Sequence, residues 1–427
     1  MYGLVDWLVR ALKRIVPTRI VRALRPAYHR SLAFLMALSY GFSAKKLVVV
    51  GITGTKGKST TADLLFAILR EAGYSTALLS TIRFAINDTS EPNLFKMTLP
   101  GRGFAQQFMR KALNSGCTHL VVEVTSESTL NYRHRFLAMN GLIVTNIQRE
   151  HIESHGSFEN YVAAKRTIVE TLARSPKKQR MLVANKDIPE TAAFLSIPRL
   201  TPISFSQSEL DELVATDDSC SFTYADTRFY LPLPGVFNAL NALAAIKMAS
   251  ALGVPTASAQ RALASLPPVK GRVERIEAGQ DFLAIVDYAH TPDSLKALYG
   301  AFPTHRKICV LGNTGGGRDR WKRPEMARIA DQACAEVILT NEDPYDENPR
   351  AIVDEMAAGV ERKPTIIMDR REAIRHALSK ARKGDAVLIS GKGTDPYIMG
   401  PRGTKEPWSD ARVVREELKR LRSARGA

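Results

Sequence analysis

The stretch VVVGITGTKGKSTT, residues 48–61, decides the fold. The apolar run over 47–52 predicts a short buried strand. A glycine turn follows, Thr53-Gly54-Thr55-Lys56-Gly57, and Lys58-Ser59-Thr60 opens a helix predicted over 61–71. Strand, glycine turn, lysine–hydroxyl pair and helix make a phosphate cradle, because the N–H groups of the turn and of the helix N-terminus point at anionic oxygens. Lys58 is placed to reach the β- and γ-phosphates, and the Ser59 hydroxyl to ligate Mg²⁺. The spacing departs from the general G-x-x-x-x-G-K-[ST] pattern: Gly51 and Gly57 stand one residue too far apart, with Gly54 between them. A turn that merely joins a strand to a helix is the alternative, but turn, lysine, hydroxyl and flanking elements all agree on the cradle.

Beyond this stretch, strand and helix alternate, the mark of an α/β chain with a mostly parallel sheet. Further strands are predicted over 118–124, 141–145 and 181–184, and helices over 103–115 and 158–174. Residues 201–233 read as short irregular strands and turns, and 240–252 as an Ala-rich helix. After Leu266-Pro267-Pro268 the alternation restarts, with strands over 283–287, 307–312, 336–340, 365–368 and 386–390. That is a second, smaller, doubly wound Rossmann-like unit. The expected organisation is a basic helical segment 1–45, a central ATP-binding P-loop-type domain 46–267 and a C-terminal domain 268–427.

The 427 residues, 45% hydrophobic, can build a large core. A net charge of +17 suggests an anionic partner: nucleotide, phosphorylated substrate, nucleic acid or membrane surface. The charge is dispersed without interleaved aromatics, so no nucleic-acid partner is expected. Cys117, Cys220, Cys309 and Cys334 lack metal-ligand spacing and read as reduced core thiols of a cytoplasmic protein. Neither a membrane-spanning apolar run nor a secretory cleavage site is present. Within 1–45, Leu4, Leu8, Leu12 and Ile15 share one helical face, Arg10, Lys13 and Arg14 another, and Pro17 ends the pattern. Seven Lys/Arg against one Asp occur through Arg30. Such a segment either lies in the anionic inner face of the plasma membrane or packs on the main body with a solvated basic face.

Three more constellations carry chemistry. Glu123, at a strand end within Glu-Val-Thr-Ser-Glu, is where a Mg²⁺ ligand belongs beside a phosphate loop; a solvated strand-end charge is the alternative. In TNIQREHIESHG, residues 145–156, His151 and Glu153 fall at the mouth of the same sheet, which makes a second metal site plausible. Lys165, in Tyr-Val-Ala-Ala-Lys, is by composition only a helix-face lysine.

Taken in order, GITGTKGKST, EVTSES, TNIQREHIESHG, ENYVAAK, LPGVFNALNALAA, KGRVERI, DYAHTPDSL, GGGRDRWKRPEM and GKGTD resemble the Mur ligases, and among them the UDP-N-acetylmuramoyl-tripeptide synthetase type. The resemblance covers residues 47 to about 418. It implies amide-bond formation with ATP and Mg²⁺ through an acyl phosphate, joining an amino acid to a muramoyl-peptide acceptor, by a monomer. By resemblance, Gly54, Thr55, Lys56, Gly57 and Thr60 complete the phosphate loop. Lys58, Ser59 and Glu123 hold phosphates and one Mg²⁺, and His151 a second. Lys165 matches a lysine that CO₂ carbamylates in many members, giving a carboxylate-like Mg²⁺ ligand. Asn238 and Asn241 match adenine contacts, and Arg272, Asp287 and His290 the C-terminal nucleotide face. Thr125, Ser126 and Arg133 match contacts to the peptide acceptor; Arg318, Glu342, Asp343 and Asp395 fall at the substrate end.

The chain also departs from that pattern. Members of this type carry an N-terminal domain that binds the UDP-sugar, whereas only the basic segment precedes the phosphate-loop strand here, which leaves the acceptor UDP-linked or lipid-linked. Diaminopimelate-using members show Asp-Asn-Pro-Arg where this chain has Glu342-Asp343-Pro344-Tyr345. Two acids without the arginine suit a cationic side chain, lysine or ornithine. Thr394-Asp395 replaces His-Glu, and Glu150 and Glu153 replace aspartates. A folylpolyglutamate synthase-like ligase, a nucleic-acid-binding P-loop NTPase and a non-catalytic scaffold are the competing readings. The Asp287-Tyr288-Ala289-His290-Thr291-Pro292 run and the Gly-Arg-Val-Glu before it favour the Mur type, and intact Lys58, Glu123 and His151 oppose a scaffold.

Overall fold

The computed structural model describes residues 18–95, 97–101, 103–150 and 152–425. The first sheet has eight strands: β1 (Val48–Thr53), β2 (Thr76–Leu79), β3 (Arg83–Ile86), β4 (Thr89–Pro92), β5 (His119–Glu123), β6 (Gly141–Val144), β7 (Met181–Asn185) and β8 (Thr201–Phe205). Their order is β4-β3-β2-β5-β1-β6-β7-β8. All neighbours are parallel except at β2-β3-β4, where a meander turns back on itself. β1 lies inside the sheet, Val50 paired with Val121 on one side and Gly141 on the other. Its side chains alternate between two cores. Val49 joins Phe108, Tyr161 and Leu172; Val50 and Ile52 join Leu64, Ile68 and Ile246. Both faces are covered, so the strand reads as a continuous apolar run.

The helix after β1 is Lys58–Glu71, three residues longer at its start than predicted. The left-handed Gly57 completes the turn early, and the lysine–hydroxyl pair sits inside the first helical turn. The Ala-rich helix also begins earlier, Val236–Ala251. Within 201–233, β8 extends the main sheet, and β9 (Asp211–Ala215), β10 (Cys220–Tyr224) and β11 (Thr227–Leu231) form a separate antiparallel sheet. Stacked Phe222 and Phe229 of that small sheet enter the same core as the Ala-rich helix.

The second large sheet has the order β12-β13-β17-β14-β15-β16, from β12 (Glu274–Arg275), β13 (Leu283–Val286), β14 (Lys307–Leu311), β15 (Glu336–Leu339), β16 (Thr365–Ile366) and β17 (Ala386–Ile389). β12 alone is antiparallel, and a core fills each face, as expected of a doubly wound unit.

One expectation changes. Cys309 on β14 and Cys334 at the end of helix Lys322–Ala333 form a disulfide, with Cα atoms 6.4 Å apart; only Cys117 and Cys220 are free buried thiols. The crossover from β14 to β15 brings the helix end back onto the strand, a proximity that cysteine spacing does not announce. The predicted stripe Leu4, Leu8, Leu12 and Ile15 lies outside the described residues. C-terminal to that stripe the chain forms a helix, Thr18–Ser39. No helix among the described residues is long and apolar enough to cross a membrane.

Candidate active site

β1, β5 and β6 end on one edge of the first sheet, where the following helix presents outward-pointing N–H groups. After β1, Gly54 (φ +144°) and Gly57 (φ +80°) turn the chain into helix Lys58–Glu71. A Cβ on Gly54 would lie 2.0 Å from Thr145 Oγ1, and one on Gly57 2.3 Å from Asn241 Oδ1, so the loop tolerates only glycine there. The loop carbonyls face the protein. Thr145 N donates to Thr53 O (3.0 Å), Lys58 Nζ and Lys165 Nζ both donate to Gly54 O (3.1 and 2.7 Å), Lys58 Nζ donates to Thr55 O (2.9 Å), and Thr145 Oγ1 to Lys56 O (2.6 Å). The first-turn N–H groups of the helix have no partner within it and remain for an anion.

Burial lowers the pKa of Lys58, and the nearby Glu123 carboxylate opposes the shift. Glu123 itself is fully buried at the end of β5 and accepts from Thr81 N (2.8 Å) and Thr81 Oγ1 (2.9 Å). Lys165 lies under the loop on helix Phe158–Ala173, where its Nζ also donates to Thr53 Oγ1 (3.2 Å). Burial first, and the Lys58 charge second, hold its pKa well below the ordinary lysine value. A neutral amine is the form that adds to CO₂. Tyr161, one helical turn earlier, bonds Thr55 Oγ1 through its hydroxyl (2.8 Å) and so ties the same helix to the loop.

The second sheet supplies the opposite wall. Asp287, just past β13, accepts from Val273 N and Ala289 N (both 2.7 Å), and burial raises its pKa. Arg272 stacks 4.4 Å from the Tyr288 ring and reaches Ser59 Oγ (3.4 Å). Glu150 ties the two walls together: its Oε1 lies 3.1 Å from both Lys56 Nζ and His290 Nε2. Burial lowers the His290 pKa to about 3, against the pull of Glu150. A cavity of about 480 Å³ lies between the walls. Residues Thr55 to Thr60 line one end, with Asn238 and Asn241, whose amide groups bond each other at 3.4 Å. Arg272, Asp287 and His290 line the facing side; Thr125, Arg133, Arg318 and Asp395 line the rest.

Ser126 is buried and its Oγ bonds His155 Nε2 (3.2 Å). Arg133 NH1 donates to Leu99 O (2.9 Å), and Arg318 NH1 lies 3.6 Å from Glu127 Oε1. Glu342 and Asp343 line a second cavity of about 130 Å³, which Arg318, His290 and Asp395 share with the first. Asp343 accepts from Lys392 Nζ and Met399 N (both 2.8 Å). Glu342 takes a hydrogen bond from Thr314 on Oε1 (2.8 Å), while its buried Oε2 has no partner, and burial raises its pKa. His151 lies outside the described residues. Glu153 turns to the C-terminal unit, where it accepts from Arg320 N at 3.1 Å. Among the described residues no group of three or more His, Cys, Asp or Glu could by itself hold a metal ion. Ser59 lines the cavity, whereas Glu123 is buried outside its lining with both carboxylate oxygens accepting from Thr81; as hard oxygen donors the two would suit a cation whose remaining ligands come from phosphate and water. Glycines packed too closely for a Cβ and inward-turned carbonyls suit a polyphosphate.

Thr81, Tyr161 and Lys322, whose Nζ donates to His290 O (3.2 Å), were not singled out by the sequence. Tyr161 alone had a signal, four residues before Lys165 on one helix face.

A family model described as the Mur ligase middle domain matches residues 52–249, and one described as Mur ligase, glutamate ligase domain matches residues 271–393. The chain belongs to the Mur ligase family. This Mur ligase is 37% identical to a UDP-N-acetylmuramyl-tripeptide synthetase of Roseiflexus sp. (strain RS-1), over 94% of this chain and 84% of that protein. It is 36% identical to a UDP-N-acetylmuramoyl-L-alanyl-D-glutamate--2,6-diaminopimelate ligase of Chlorobaculum tepidum, over 90% of this chain and 79% of that one. A solved structure of a ligase with the latter name superposes with a TM-score of 0.59 at 26% identity, covering 88% of this chain and 79% of the other. The folylpolyglutamate synthase of Mycobacterium tuberculosis superposes with a TM-score of 0.69 at 15% identity, covering 86% and 93%, a likeness of fold alone. This protein is thus an ATP-dependent amino-acid ligase of the Mur type.

Proposed function

We propose that this Mur ligase joins an amino acid to a muramoyl-peptide precursor of peptidoglycan. A carboxylate oxygen of the acceptor attacks the γ-phosphorus of ATP, the bond to the bridging oxygen breaks, and ADP leaves. The amine of the amino acid then attacks the acyl carbon, gives up a proton, and expels inorganic phosphate. Neither step needs a nucleophile from the protein; both need charge neutralised and partners aligned. Lys58 and the helix N-terminus take the β- and γ-phosphates. Arg272 and Asp287 hold the nucleotide from the second sheet, and Asn238 and Asn241 take the adenine. Thr125, Ser126 and Arg133 orient the acceptor. One Mg²⁺ held by Ser59 and Glu123 and a second held by His151, with a carbamylated Lys165 helping to hold Mg²⁺, would draw charge from the transferring phosphoryl group.

The observation that carries this reading is the single cavity lined by the phosphate loop, by Arg272 and Asp287 of the second unit, and by Thr125 and Arg133. The amino acid would enter the adjoining smaller cavity. Asp343 is already taken by Lys392, so Glu342, with one unshared buried oxygen, is the acid left to meet a side-chain ammonium. Lysine or ornithine fits that chemistry better than a distal carboxylate. We also propose that the basic segment 1–45 holds the enzyme reversibly at an anionic membrane surface. The test of the ligase reading is phosphate release with ATP, Mg²⁺ and a panel of muramoyl-peptide acceptors crossed with amino acids. One pair should raise the rate far above that of acceptor alone; no such pair among lysine, ornithine and diaminopimelate would refute it.

A further inference from the structure

Helix Thr18–Ser39 turns an apolar stripe to solvent. Leu24, Tyr28, Leu35 and Leu38 recur at i, i+4, i+11 and i+14, on one face, and are each 50–59% exposed. Ala37, on the far side, is buried, and Phe34 anchors the helix through the rings of Phe42 and Phe136, with centroids 6.1 and 5.9 Å away. A second apolar group stands on the loop after β4, where Leu94, Phe95 and Met97 are 41–52% exposed. The elements that carry the two groups touch. Met36 packs over Gly103, where an added Cβ would lie 2.2 Å from its terminal methyl, and the neighbouring Phe104 ring lies 5.1 Å from that of Phe95. Met97 continues into the lining of the larger cavity, beside Thr98, Leu99 and Arg133. The second group therefore reaches the lining of the larger cavity, and the helix that carries the first lies beside it; soluble monomers rarely leave apolar groups of this size bare.

The charge of the N-terminal segment has one sign. Between Asp6 and Asp63 the sequence contains no acid, and nine Lys/Arg fall from Arg10 through Lys46. Arg30, Lys45 and Lys46 are exposed. Apolar side chains flanked by basic ones suit the boundary of an anionic bilayer, where the former enter the acyl region and the latter meet lipid phosphates.

We infer that these two apolar groups seat an anionic bilayer, with the Leu94–Phe95 pair as a second anchor beside the N-terminal helix, so that the acceptor side of the cavity opens at the headgroups. The inference rests on the reading of the basic segment as the membrane-holding element, and it adds an anchor within the first-sheet unit and an orientation. The test uses the full chain and vesicles of phosphatidylglycerol and phosphatidylcholine. The double substitution Leu94→Ser, Phe95→Ser should weaken vesicle binding at least about tenfold, about 1.4 kcal/mol. The double variant loses the Phe95 ring contacts and should melt somewhat lower but remain folded, with phosphate release on a soluble acceptor unchanged. Phe95→Trp should add blue-shifted emission, relative to the unsubstituted chain, when anionic vesicles are present. A Phe95→Trp chain that floats with the vesicles while the introduced indole keeps the emission of a solvent-exposed ring overturns the second anchor and leaves the basic segment as sole holder. A chain that does not float at low salt overturns both. Concentration-dependent self-association that the same double substitution abolishes, without flotation, would make this surface an interface between copies and likewise overturn the inference.

Discussion

Lys165→Met keeps the apolar stem beneath the phosphate loop and removes only the amine. In the folded chain that lysine is 2% exposed, its amine donates to Thr53 Oγ1 and Gly54 O, and its pKa is held well below the ordinary value. In the unfolded chain it binds a proton up to its ordinary pKa of 10.5. Between the lowered folded pKa and 10.5 the unfolded state thus holds more protons, and the lysine's contribution to stability improves as pH rises through that window. Each pKa unit of depression costs the fold about 1.4 kcal/mol below the folded pKa. Against this stand two lost hydrogen bonds, roughly 1 kcal/mol each. Lys165→Met should therefore be at least as stable as the unsubstituted enzyme at pH 7, with an advantage that shrinks as the pH climbs. Lys165→Ala also loses three stem groups, about 0.8 kcal/mol each, and should melt roughly 5–10 °C lower than the methionine variant.

Function should follow a different order. If CO₂ converts the neutral amine to a carbamate, both variants lose a negative ligand beside the transferring phosphoryl group. The expected loss in kcat is about a thousandfold, or about 4 kcal/mol of barrier. Formate or acetate should restore part of the activity to Lys165→Ala, which has room for a carboxylate, and none to Lys165→Met. Phosphate release and thermal melts between pH 7 and 10 measure both orders. Near-wild-type turnover by either variant would refute the carbamate role, as would a folded alanine variant that no short carboxylate rescues.

Lys58→Ala removes a charge from the phosphate end of the cavity and should lower kcat at least about a hundredfold, about 3 kcal/mol, in the same assay; turnover near the unsubstituted rate would rule out the proposed mechanism. Glu342→Gln keeps the shape of the smaller cavity but removes its unshared acid. kcat/KM for lysine or ornithine should fall at least about tenfold with kcat for a bound acceptor less affected, and a higher kcat/KM for diaminopimelate than for lysine in the unsubstituted enzyme would overturn the assignment. Gly57→Ala places a Cβ at φ +80°, 2.3 Å from Asn241 Oδ1, and should cost about 1–3 kcal/mol of stability and raise the KM for ATP. Calorimetry showing an unchanged melting temperature would contradict the packing described for the loop.

Much of the architecture was legible because parallel strands buried on both faces write themselves as apolar runs. β1, β5, β6, β7 and the four longer strands of the second sheet lie within one residue of their predicted ends. The meander β2-β3-β4 was not foreseen. β4 is fully exposed and ends in Pro92, so it carries no alternation, and only the left-handed Asn87 marks the turn before it. The site was legible where a motif fixed a residue to a strand end or a helix start, as for Lys58, Glu123 and Lys165. What each side chain does once placed was not. That Asp343 is consumed by Lys392, that Lys56 and His290 share Glu150 across two sheets, and that Cys309 meets Cys334 all depend on how distant segments pack. No local pattern encodes those meetings.

Every carbonyl from Thr53 to Gly57 is already engaged by a donor of the protein itself. A peptide plane in such a loop has two faces, and rotating one carbonyl outward would set a partial negative charge against the phosphates. At Gly54 that rotation would have to break two lysine hydrogen bonds at once. The repelling state of the loop is thereby kept rare before any nucleotide arrives. Almost the whole population is competent to bind, and little of the nucleotide's intrinsic affinity is spent on selecting a minor conformer. Lys165 consequently has a structural task that does not wait for CO₂: it is one of the two latches on that peptide plane.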